Sequence, residues 1–383
     1  MGMYFDEAPK TERKDIFNYS EQFEKLLSSL SEGRRLITIE GRRRTGKTSL
    51  LLSCLNEFGH PYVVLDGRAF SSSPQVRREE FVELLEDSLN AFLKRERRLG
   101  AKVVDALKHV QGLEPSAGTT AGISLRWGPK PRDTVNISTL LDALSEEAVK
   151  QKTTFVIALD EAQEFRKIMR YDLTSVLAHA YDYCRGVQFV VTGSEIGMLH
   201  KFLRVDDPKA PLYARAAVRV ELPGLDADKA KEYLRQGFAQ IRVGVADEML
   251  EKVSQRFDGV IGWLTYCGFK AREEKELGER TVEEAARLAR RMVAAEFRSF
   301  LGLYRSDRYE AIMKSLAGGS RTWAQLKKAV EAEEGMAIGQ SEITKLLSNL
   351  EDAGFVAKSD DGAYAIPDPM VSEAALRGLS RTA

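Results

Sequence analysis

The sequence predicts an α/β fold: a parallel sheet carrying a phosphate-binding loop, then a helical segment placed as a lid, then a C-terminal winged helix. Three observations predict it. Apolar, strand-sized runs alternate with helical segments over residues 1–222, the pattern of consecutive βα units. One strand-to-helix junction, Gly41-Arg42-Arg43-Arg44-Thr45-Gly46-Lys47-Thr48, matches G-x-x-x-x-G-K-[ST] without a deviation. The last segment reads as helices followed by a small hairpin.

The strands of the first unit are predicted at residues 36–40, 62–66, 154–159, 188–192 and 217–222. Residues 77–98 place Phe81, Leu84, Leu85, Leu89 and Phe92 on one face of an amphipathic helix. The Gly/Pro-rich stretch 112–131 interrupts the alternation. Within it, residues 122–127 read either as a strand of an inserted hairpin, a candidate partner contact, or as a plain surface loop. After Pro223-Gly224, helices are predicted at 228–241, 247–257, 263–277 and 281–300. Helices at 308–316, 322–331 and 341–353 then precede a hairpin of 355–358 and 363–366, turning at Asp360-Asp361-Gly362. The expected units are 1–222, 223–303 and 304–383.

Composition narrows the class. The apolar share of 43% and charged share of 30% suit a soluble folded chain. Basic and acidic residues balance at 57 each, so no whole-chain field steers the protein toward nucleic acid or an acidic membrane. Cys54, Cys184 and Cys267 are scattered, with neither C-x-x-C spacing nor a nearby His cluster. That argues against a disulfide framework or zinc site and for a reducing cytoplasm. Residues 1–14 are too charged for a secretory signal, and apolar runs such as 155–159 are too short to span a membrane.

The chemistry is concentrated at strand ends. A strand–loop–helix unit from Gly41 to Ser49 turns backbone N–H groups and a helix N-terminus toward one point, which suits a polyphosphate. Lys47 is expected at the β- and γ-phosphates, and the Thr48 hydroxyl at Mg²⁺. The apolar run 154–159 ends in Asp160 and Glu161. Asp160 is expected to hold Mg²⁺ through a water, and Glu161 to polarise the water that attacks the γ-phosphate. Thr192-Gly193-Ser194 ends another strand; Thr192 or Ser194 orients that water or reads the γ-phosphate, unless the segment is a simple turn. Arg215 is either a charge-neutralising arginine, acting in cis or from a neighbouring subunit, or a surface ion pair. Arg42, Arg43 and Arg44 either raise the potential around the nucleotide or pair with acidic residues of neighbouring elements. Lys94, Arg95, Arg97 and Arg98 read as a solvated helix end.

The wording of residues 41–50, Leu159-Asp160-Glu161, Thr192-Gly193-Ser194 and Pro211-Leu212-Tyr213-Ala214-Arg215 resembles the archaeal ATPase family. That family stands with the STAND and AAA+ P-loop ATPases, near the origin-recognition type. Gly259-Val260-Ile261-Gly262-Trp263-Leu264 and the winged helix extend the resemblance over nearly the whole chain. The resemblance implies strand order 5-1-4-3-2, a helical lid, and a winged helix packed near the nucleotide. It also implies ATP or ADP with Mg²⁺ as ligands, and a domain arrangement that switches between the two nucleotides. Phe17 falls in the adenine-side segment, which here lacks the family's usual arginine. The lid lacks Gly-x-Pro and a second-sensor arginine, leaving Lys270 and Arg272 as substitutes.

The winged helix is short of cations. Its third helix, 341–351, carries only Lys345, and the wing only Lys358. DNA binding depends on several cationic phosphate contacts, so packing on the chain's own core or on a protein is the favoured role. Arg321, Lys327 and Lys328 keep DNA binding as the alternative. Trp323 reads as a core anchor. The expected function is an ATP-hydrolysing switch with a protein partner reached through the winged helix or hairpin. An ATP-regulated DNA-binding protein of the origin-recognition type, and a scaffold that binds nucleotide structurally, are the alternatives.

Overall fold

The computed structural model describes residues 3–71, 73–115, 122–126 and 134–379. In chain order the first unit runs α1 (Ser20–Ser31), β1 (Leu36–Glu40), α2 (Lys47–Phe58), β2 (Tyr62–Asp66), α3 (Arg78–Arg95) and α4 (Arg97–Leu107). A hairpin of β3 (Leu113–Pro115) and β4 (Ile123–Leu125) precedes α5 (Ile137–Lys150) and β5 (Phe155–Asp160). Then come α6 (Leu173–Tyr183), β6 (Val187–Gly193), α7 (Ile196–Leu203) and β7 (Val218–Glu221).

Five strands form one parallel sheet, ordered β7-β1-β6-β5-β2. The hairpin takes two strand numbers; counting the sheet strands alone, the order is 5-1-4-3-2. The inner strands β1, β6 and β5 are covered on both faces, which explains their largely apolar runs, while edge strand β7 exposes Arg219 and Glu221. Successive side chains alternate between two cores. Ile37, Ile39, Val156, Ala158 and Val190 join α1 and α2 on one side. Leu36, Ile157, Leu159, Phe189 and Val191 join α3, α5 and α6 on the other.

The first core continues into the rest of the chain. α8 (Ala227–Ile241), α9 (Asp247–Phe257), α10 (Ile261–Glu274) and the long α11 (Glu279–Tyr304) follow β7. α12 (Arg308–Ala317), α13 (Trp323–Glu334), α14 (Gln340–Asp352) and the hairpin of β8 (Ala357–Lys358) and β9 (Tyr364–Ala365) form the winged helix, closed by α15 (Pro369–Arg377). α15 packs on α11 and α12. Its Glu373 bonds Arg290 of α11 at 2.9 Å.

Several details differ from the sequence reading. The helix expected at 77–98 breaks at Glu96, whose backbone leaves the helical region, and resumes as α4. Residues 123–125 do pair in a hairpin, while Trp127 lies outside the described residues. The hairpin is tied to α3: Asn90 exchanges two 2.9 Å bonds with the Ile123 backbone. Lys94, Arg95, Arg97 and Arg98 are exposed where α3 ends and α4 begins, as the sequence reading has it, with Arg95 stacked 3.9 Å over Tyr62. Trp323 is only partly buried, at the rim of the core. No described helix is long and apolar enough to cross a membrane.

Candidate functional site

All five strands of the sheet end on the same side, and the sequence motifs end with them. β1 stops at Glu40, and the chain turns through Gly41 to Thr48 into α2. The turn is closed by its own bonds: Lys47 Nζ donates to Arg42 O at 2.7 Å, and Thr45 Oγ1 to the same carbonyl at 2.9 Å. Gly46 has φ +92, a conformation open to glycine and strained for other residues. Lys47 is only 4% exposed, and burial lowers its ammonium to about 8.

β5 and β6 bring the polar groups beneath the loop. Thr48 Oγ1 donates to Asp160 Oδ2 at 2.9 Å, and Thr192 Oγ1 donates to Asp160 Oδ1 at 2.5 Å. The Thr192 hydroxyl also accepts from the Glu161 backbone N–H at 3.0 Å. Glu161 has φ +50, which swings its side chain back over the strand ends. There its Oε2 accepts from Ser194 Oγ at 2.6 Å, Ser194 N at 3.1 Å and Gln163 Nε2 at 2.7 Å. Burial pushes the Glu161 carboxyl up, but the Lys47 ammonium, Ser194 and Gln163 bring it below its ordinary range. Asp160 behaves oppositely: burial raises it despite bonds from Thr192 and Thr48. A hydroxyl oxygen beside a desolvated carboxylate is an oxygen donor pair that suits a hard divalent cation, so Thr48 and Asp160 fit Mg²⁺.

A cleft of about 540 Å³ opens from the loop toward α8 and α10, within the ~300–1,000 Å³ usual for small-ligand sites. Lys47, Thr48, Ser49 and Glu161 line one end, while Phe17, Tyr233 and Tyr266 line the other. Phe17 meets Tyr233 edge-on at 5.3 Å. The N-terminal segment borders the cleft and is pinned by Lys10 N–H donating to Ser49 Oγ at 3.0 Å.

The loop arginines point outward, into the other units. Arg43 pairs with Glu195, just after β6, and with Glu296 of α11 at 3.2 Å. Arg44 also pairs with Glu296 and lies 4.0 Å over the Trp263 ring of α10. That indole donates to Asp368, the N-cap of α15, at 3.1 Å. Arg42 reaches the Pro367 carbonyl at 2.9 Å. Gly262 N–H donates to Arg44 O at 3.0 Å, and a side chain at Gly262 would collide with Arg44. Both roles open to these arginines are present: Arg43 and Arg44 pair with neighbouring acids, and their charge also acts on Lys47, with Arg44 bordering the cleft. Glu296 and Asp368 were invisible to sequence reasoning; Glu195 had a signal, being next to Ser194.

The family model described as the ATPase domain predominantly from Archaea matches residues 17–266. The chain belongs to this family. Its C-terminal part, residues 303–366, matches the MCM protein C-terminal winged helix-turn-helix domain. Among solved structures, the ATPase is similar to the Walker-type ATPase PABY2304 of Pyrococcus abyssi, with 28% identity and TM-score 0.81. That match covers 97% of this chain and 99% of the other. The Aeropyrum pernix ORC2 protein, solved in ADPNP–ADP complexes, shares the fold at TM-score 0.62 and 15% identity, covering 100% of this chain and 98% of that one. No curated protein sequence matches.

Three predicted residues are not brought to the loop of this ATPase. Arg215 precedes β7, whose Val218 pairs with Ile37 at the start of β1, so it sits at the opposite edge of the sheet. It is held there by Asp182 at the end of α6, at 2.5 and 3.0 Å. A cis role at the chain's own nucleotide is therefore corrected by strand direction. Lys270 pairs with Glu273, and Arg272 stacks on Phe269 at 5.2 Å; neither lines the cleft.

Proposed function

We propose that this ATPase is a Mg²⁺-dependent molecular switch in which the phosphate loop reports ATP or ADP to the lid and the winged helix. The observation that carries the proposal is the arginine run inside the loop. Arg42, Arg43 and Arg44 reach Pro367, Glu195, Glu296 and Trp263 at once. A loop that shifts to grip a γ-phosphate must move these anchors, and with them α10, α11 and α15. The division into 1–222, 223–303 and 304–383 belongs to this reading, as the nucleotide unit, the lid and the winged helix.

The roles follow from the atoms available. The N–H groups of residues 45–49 and the Lys47 ammonium bind the phosphates. Thr48 and Asp160 would hold Mg²⁺, which neutralises β- and γ-oxygens when bound. Glu161 is ionised below neutrality, and its bonds converge on Oε2, leaving Oε1 to accept the proton of the attacking water. Thr192 holds the Asp160 carboxylate and the Glu161 backbone N–H, and Ser194 sets the angle of the Glu161 carboxylate. Phe17 contributes the base-side wall. The winged helix acts first on its own chain: Asp352 at the end of α14 pairs with Lys201 of α7. Its remaining faces are then the contact for a protein partner.

Steady-state ATP turnover with Mg²⁺, with and without duplex DNA, tests the proposal beside Glu161→Gln. The variant is expected to keep ATP binding and lose about 10²–10³ in turnover; full turnover would remove Glu161 from the role. A severalfold stimulation by DNA would favour the origin-recognition reading instead.

A further inference from the structure

We infer that Asp142, His179 and Cys184 form a binding site for a zinc-like transition-metal cation, at the sheet edge opposite the phosphate loop. Their carboxylate oxygen, imidazole nitrogen and thiol sulfur lie within 4.8 Å of one another. His179 Nε2 is 2.9 Å from Asp142 Oδ1, and the Cys184 thiol donates to the same oxygen at 3.3 Å. One sulfur, one nitrogen and one oxygen is a borderline-soft set. It selects Zn²⁺ or Co²⁺ over Mg²⁺ and Ca²⁺, which take oxygen ligands.

The elements hold the three groups in place. Asp142 projects from α5, His179 from the last turns of α6, and Cys184 caps that helix. The Cys184 carbonyl accepts from Arg35 at 2.6 Å, which anchors the backbone under the thiol. The Tyr183 ring lies 5.3 Å from the His179 ring and limits its rotation. Cys184 is buried while Asp142 and His179 are half-exposed. The site therefore has a dry wall and an open side, where water completes a tetrahedron. Binding releases the thiol proton, and a thiolate and a carboxylate then balance the dication.

A loaded site ties α5 to the end of α6. Asp182, two residues before Cys184, carries the pair to Arg215. The metal would thus fix the one family-motif arginine that lies far from the nucleotide. The inference stands independently of the switch proposal.

The metal-free full-length protein, saturated with Mg²⁺ and ATP to occupy the phosphate site, is titrated with Co²⁺. The expected result is a near-ultraviolet sulfur-to-cobalt charge-transfer band that saturates at one equivalent and is erased by Zn²⁺. Cys184→Ser abolishes the band while ATP binding is retained. No band in the natural protein overturns the inference, and so does a band that survives Cys184→Ser, because Cys54 or Cys267 would then be its source. Should Cys184→Ser fail to fold, the half-exposed partners decide. His179→Ala and Asp142→Asn each weaken Co²⁺ binding at least tenfold, and unchanged affinity in both overturns the site.

Discussion

The two edges of the sheet are made by the same strands and differ in how their chemistry is assembled. At the C-terminal edge, Gly41–Thr48, Asp160-Glu161 and Thr192-Gly193-Ser194 each arrive as a short contiguous word. Strand direction alone brings these words together. At the N-terminal edge, the polar groups come from separate elements: His179, Asp182 and Cys184 from the end of α6, Asp142 from α5, and Arg215 from the chain before β7. The first edge is built to meet an anion. The second is held by pairings between the end of α6 and two side chains more distant in sequence, Asp142 and Arg215.

The comparison breaks most visibly at Lys47. Lys47→Ala should cost about a hundredfold or more in ATP affinity by calorimetry, as expected for a lost charge-assisted contact of roughly 3 kcal/mol. Unchanged affinity would mean the C-terminal edge is no phosphate site. A pH series sharpens the same point. Burial lowers Lys47 to about 8 in the free protein, and bound phosphates favour its charged form. Binding above that pH therefore takes up a proton. Affinity should be flat below about pH 8 and fall about tenfold per unit above it. Calorimetry at pH 9 in buffers of different ionisation enthalpy measures the proton.

Arg44→Ala comes next. It removes the stack on Trp263 and the pair with Glu296, which should lower stability to urea by about 2 kcal/mol. A double-mutant cycle with Glu296→Gln should show coupling between the two positions. Additive losses would separate the loop from the lid. The smallest effect is expected at the other edge: Arg215→Ala should leave ATP binding by the isolated chain unchanged. A loss of turnover that grows with protein concentration would assign Arg215 to a neighbouring subunit's site.

The legibility of the fold follows local pattern. The central strands β5 and β6 were readable because a strand buried on both faces needs a nearly continuous apolar run. The edge strand β7 was readable from apolar residues alternating with Arg219 and Glu221. Helices α8–α11 and the three helices of the winged helix were readable from amphipathic periodicity. α15 went unread, although Asp368 followed by Pro369 is a helix-start signal. The break at Glu96 was hidden because charged residues at the junction of α3 and α4 resemble one solvated helix end.

By itself the sequence determined the nucleotide end of the molecule. It supplied the loop, the carboxylates and the hydroxyls, and parallel strand order left only one edge for them to share. Tertiary structure alone decided what the loop touches beyond the nucleotide. Arg44 and Glu296 are 252 residues apart, and Trp263 finds Asp368 across two units. It also decided that Arg215 faces away and that Cys184 has a histidine and a carboxylate beside it. Periodicity and motif spacing encode what a segment does along its own axis. Contacts between crossing elements depend on packing angles set by the whole core, and no single segment carries that information.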